Sequence, residues 1–164
     1  MALSLITPDS LNLAQDYAGM GFGGTGSANQ LDDYEEGTCT LNINDGTNTV
    51  SFPTDSANYT KIGNQVTVGF DYFNFSISSL SGSLFLSGFP FTSSAARAGS
   101  YTTYMHIAGT SGGANTPVAL YVNQPTTTFP LYLAVSSTAA ISNLATTHLA
   151  SSITIRGRVT YRTS

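Results

Sequence analysis

From Thr38 onward the chain alternates apolar and polar residues. Cys39, Leu41 and Ile43 are separated by Thr40 and Asn42, the two-residue period of a strand with one buried face. Asn44-Asp45-Gly46 supplies a turn, and Thr49–Phe52 returns as a strand. Gly63-Asn64 separates Tyr59–Ile62 from Gln65–Ile77, a second hairpin signal. Within the longer run Val66, Val68, Phe70 and Tyr72 alternate cleanly, and the parity then switches to Phe73, Phe75 and Ile77. A one-residue switch predicts a bulge, or a strand that crosses between sheets. Further strands are predicted at Leu84–Ser87, Tyr101–Ile107, Val118–Val122, Leu131–Val135 and Ile153–Tyr161. Ser142–Ala150 is ambiguous. The last strand is the most regular: Ile153, Ile155, Gly157, Val159 and Tyr161 share one face, and Arg156, Arg158, Thr160 and Arg162 share the other. With no convincing amphipathic helix, the pattern predicts an all-β fold, an antiparallel β-sandwich of jelly-roll type.

Residues 1–30 follow another rule. Leu3, Leu5, Ile6, Leu11 and Leu13 are apolar, but Pro8 and the glycine-rich Gly19–Ser27 stop any long helix. Leu11–Tyr17 has room for two helical turns. The expected organisation is an extended N-terminal arm over 1–30, which attaches to another chain, and a sandwich domain over 31–164.

Composition narrows the partners. Only 9% of the 164 residues are charged, against 41% hydrophobic and 11% aromatic, so Thr, Ser and Asn cover the outward faces of a folded chain. The net charge is −4, and the first 150 residues hold only Lys61 and Arg97 as strong bases. A nucleic-acid surface needs clustered positive charge, as does an anionic membrane, so neither partner is expected. The N-terminus lacks the basic and apolar regions of a secretion signal, and no run reaches membrane-spanning length. A single cysteine, Cys39, leaves no intramolecular disulfide.

Four strings carry a resemblance: LDDYEEGT (Leu31–Thr38), YTKIGN (Tyr59–Asn64), LSGFPFT (Leu86–Thr92) and the closing GRVTYRT (Gly157–Thr163). In order and spacing they resemble a C-terminal module of bacteriophage tail-fibre and related virion proteins. Cys39 stands where the commonest form of that module has Trp or Phe. The resemblance implies an all-β domain at the distal end of a trimeric fibre, often host-recognising, with no catalytic residues and no cofactor. A host cell-surface glycan or protein is then the expected ligand. Here about 30 residues precede the module, where long fibres carry a shaft. Two roles in the virion follow: a short trimeric tail fibre that binds a receptor, or a trimeric decoration protein that cements the head. In either, other virion proteins meet the arm, and the chain is made in the host cytoplasm.

Each candidate site has a plain counterpart. Asp32, Asp33, Glu35 and Glu36 hold four of the nine acids. The run lacks the spacing and central glycine of a calcium loop, so the expected partners are Arg156, Arg158 and Arg162, within a protomer or across a subunit boundary, as an assembly clasp. Gly21–Gly26 reads as a hinge rather than a phosphate loop, since no strand precedes it and no GK[ST] follows. His106 and His148 have no ligand-spaced neighbours, so no metal is expected. No activated serine and no paired carboxylates stand out, and the protein reads as non-enzymatic. Cys39 is expected on the inward face with Leu41 and Ile43. Tyr59, Tyr72, Tyr101, Tyr104, Tyr121 and Tyr132 offer aromatic rings to a sugar or to the core.

Overall fold

The computed structural model describes residues 20–21, 30–31, 33–53, 57–95, 101–110, 116–122, 125–133 and 142–163. Thirteen strands run through them. They are β1 (Met20–Gly21), β2 (Gln30–Leu31), β3 (Tyr34–Cys39), β4 (Asn42–Asn44), β5 (Thr49–Ser51), β6 (Ala57–Ile62), β7 (Gln65–Ser76), β8 (Phe85–Ser87), β9 (Tyr101–Thr110), β10 (Thr116–Leu120), β11 (Thr128–Leu133), β12 (Ser142–Asn143) and β13 (Leu149–Arg162). One turn of 3₁₀ helix, Thr146–His148, precedes β13. The segment that looked ambiguous in sequence is therefore β12, this turn and the start of β13.

β1 and β2 pair with each other. The other strands form one continuous antiparallel sheet in the order β3-β6-β7-β13-β9-β10-β11-β8-β4-β5, with β12 beside β11. Its central pairings are nested. β9 pairs β10, β8 pairs β11, and β7 pairs β13. A long hairpin of β7-β8-β9 against β10-β11-β13 has been rolled so that its layers face each other, which is the jelly-roll plan. The expected all-β sandwich is what forms. The Leu11–Tyr17 helical turns, the glycine-rich hinge after Gly21 and most of the arm fall outside the described residues.

Alternation fixes which residues enter the core. Val66, Val68, Phe70 and Tyr72 of β7 and Ile153, Ile155, Val159 and Tyr161 of β13 point inward and are buried. Leu41, Ile43, Leu84, Leu86, Phe129 and Leu131 meet them from the opposing layer. Rings bridge the layers: Phe52 lies 3.8 Å from Tyr72, and Phe129 lies 5.4 Å edge-on to Tyr161.

The parity switch near Tyr72 is a bulge. Ile155 opposes Tyr72 while Ile153 opposes Phe75, so β7 holds one extra residue there. Asn74 takes the left-handed conformation, with φ 51°. Its amide donates to Thr154 Oγ1, and its side-chain oxygen accepts from Ser152. The alternation in sequence predicts Phe73 on the same side as Phe75 and Ile77. The switch falls one residue later, at Asn74, and Phe73 is 78% exposed.

Candidate functional site

The four strings of the resemblance meet at one end of the sandwich. LDDYEEGT and YTKIGN are register partners: Tyr34 opposes Ile62, Glu35 opposes Lys61, Glu36 opposes Thr60 and Gly37 opposes Tyr59. Gly63 donates its amide to the Asp33 carbonyl, which closes the ladder at its far end. The last string reaches the same place, since Thr163 donates to the Asn64 carbonyl.

Alternation splits the acidic run between two faces. Asp33 and Glu35 turn to the inward side. There Asp33 pairs with Lys61, and Glu35 accepts from the Tyr59 hydroxyl at 2.5 Å. That bond, with burial and the negative charge behind it, raises the Tyr59 hydroxyl above the ordinary phenol value. Glu36 turns outward and accepts from the Tyr34 hydroxyl at 2.7 Å, which raises Tyr34 in the same way.

LSGFPFT folds over the inward side and closes it. Phe91 stands edge-on to Tyr59 at 5.5 Å, and Lys61 lies 5.6 Å over its ring. Phe91 also shares two bonds with Tyr161: its amide donates to the Tyr161 oxygen, and the Tyr161 hydroxyl donates to its carbonyl at 2.9 Å. Burial pushes the Tyr161 hydroxyl well above its usual range. Two glycines of the strings have a stereochemical reason. A Cβ on Gly37 would sit 2.9 Å from the Tyr59 ring, so only glycine lets that ring cover the neighbouring strand. Gly88 has φ 88°, and a Cβ there would fall on the Thr40 carbonyl.

The strands that carry the two halves of the expected clasp are not neighbours in the sheet. β6 and β7 stand between β3 and β13, and three strand spacings amount to about 14 Å. Asp33 and Glu35 take Lys61 and Tyr59 instead, and Arg156 takes Asp71 at 2.8 Å. Arg158 and Arg162 stand beside Arg156 on the outward face, as their alternation predicts. Asp32 lies outside the described residues. The signal that divides the acids was legible: Asp33 and Glu35 share one parity and Glu36 has the other.

The remaining candidates are placed simply. His106 opposes Arg156 across β9 and β13. The exposed His148 accepts from the Ala145 amide through Nδ1, which ties down the 3₁₀ turn. Among the described residues, no three His, Cys, Asp or Glu side chains converge to hold a metal ion. Cys39 is partly buried against the core, and burial pushes its thiol up to about 11. Tyr72 is buried, whereas Tyr121 is exposed and edge-on to Tyr132 at 5.9 Å. The side chains of Tyr101 and Tyr104 lie outside the described residues.

Sequence reading missed one organiser, Asp45. One carboxylate oxygen accepts from the Thr47 and Asn48 amides, and the other accepts from the Ser81 amide. These bonds hold the carboxyl well below its usual range. They fasten the β4-β5 hairpin to the loop before β8. The Asp-Gly turn signal reveals the first two bonds, but the third joins positions remote in sequence.

No protein-family model matches the chain, and none of the curated proteins compared with it matches either.

Proposed function

We propose that the chain is a bacteriophage virion structural protein: a short trimeric tail fibre whose sandwich adheres to the host and whose arm, residues 1–30, holds other virion proteins. The observation that supports this most is the convergence of the four strings. Glu35, Gly37, Tyr59, Lys61, Phe91 and Tyr161 come from all four, and they touch one another at one end of the fold. Residues that the resemblance groups together thus also depend on one another physically. The reading is non-enzymatic. Asp33, Glu35 and Glu36 are engaged by Lys61 and two tyrosines.

The ligand in this reading is a cell-surface glycan or protein. The test has two parts. Particles that carry the protein are labelled with an antibody to the sandwich and imaged, and the purified chain is titrated onto host cells. Label at the tail, with saturable binding to cells, is the expected result. Label on the head without binding to cells would replace the fibre with a cement role on the capsid. Absence of label anywhere on the particle would overturn both.

A further inference from the structure

The outward face of the β3-β6-β7-β13 layer carries two strips of opposite character. At its edge, Tyr34 and Ile62 are directly opposed across β3 and β6, each about half exposed. Glu36 lies beside them on the same face. Three strand spacings away, about 14 Å, β13 presents Arg156, Arg158 and Arg162 on that same face. They are three of the five strong bases in the chain. Thr60, Thr67 and Thr160 form a neutral row that crosses the layer from Glu36 to β13, and the Thr67 and Thr160 hydroxyls bond at 3.0 Å.

Single exposed apolar residues are ordinary. Here two of them adjoin each other and an exposed acid, and Arg158 and Arg162 lie at a fixed offset on the same surface, beside an Arg156 that Asp71 of β7 already pairs. A surface with that offset can bind a copy of itself. We propose that this face docks a second copy of the chain, with Tyr34, Ile62 and Glu36 of one copy seated beside Arg158 and Arg162 of the next. Where each copy gives one patch to one neighbour and the other patch to a second neighbour, the contact is heterologous and closes into a ring of three when each step turns by a third of a circle. It rests on the trimer in the proposed function and gives that trimer its contact surface. It also narrows the clasp: Asp33 and Glu35 stay within their own chain, and Glu36 reaches across.

The experiment uses the full chain at micromolar concentration, with mass read by light scattering after size exclusion and folding checked by circular dichroism. Glu36→Arg alone, and Arg158→Glu with Arg162→Glu, should each weaken association about tenfold or more, and the three changes together should restore it. Ile62→Asp should weaken association without a charge partner to rescue it. A wild-type trimer that ignores all these changes would overturn this surface and leave the trimer standing. A wild-type monomer would overturn both. A dimer that responds to the swaps would support the surface and overturn closure by three.

Discussion

Gly37 and Tyr59 show how one missing side chain positions another. The ring occupies the space that a Cβ would need, and Phe91 and Glu35 hold the ring there. Gly37→Ala should therefore cost about 1–2 kcal/mol, and the cost should shrink in the Tyr59→Ala background. Chemical denaturation of the four proteins in that cycle measures the coupling. Asp45 predicts a dependence on acid. Its carboxyl is depressed in the fold, so its contribution is present above the unfolded value, about pH 4, and is lost as pH falls through the folded value. The stability difference between wild type and Asp45→Asn should be constant near neutrality and shrink below about pH 4, in melts taken across that range. Cys39 predicts slow chemistry. With its thiol near 11, the thiolate fraction at pH 8 is about 10⁻³, against roughly 0.2 for a free cysteine near 8.5. Labelling by a thiol reagent should be about two hundredfold slower than for a small free thiol, and should reach the ordinary rate once the protein is unfolded.

The segment over Leu86–Thr92 makes no strand after Ser87, yet it holds the end of the sandwich closed. Its hold is the pair of hydrogen bonds between Phe91 and Tyr161. Tyr161→Phe keeps the ring and strands the Phe91 groups. The expected loss is about 1–3 kcal/mol, with the amides of this segment losing protection in hydrogen exchange before those of β7. This element also marks where the sequence stops being informative. Strands were legible because period two is a local property, and the parity switch announced the bulge at Asn74 because one extra residue shifts every side chain after it. The partners of those strands were not legible. That Glu35 meets Tyr59 rather than an arginine depends on β6 lying beside β3, and strand order is set by pairings that no short window contains. The same holds for Asp45 and Ser81, which three strands separate in sequence.

Across the whole molecule, the low charge and the abundance of Thr and Ser now have an address. The outward face of the layer pairs hydroxyls between strands, as at Thr67 and Thr160, and keeps its few cations on β13. Strand β13, formed from the last stretch of the sequence, lies between β7 and β9 in the middle of the layer. On the ribosome, β7 is complete more than seventy residues before its partner begins. At roughly 5–20 residues per second, β7 then waits several seconds with one edge unpaired. The body of the protein must therefore assemble once β13 has emerged, in a step that brings distant parts of the chain together, and until then its longest early strand is open to pairing with a neighbouring nascent copy.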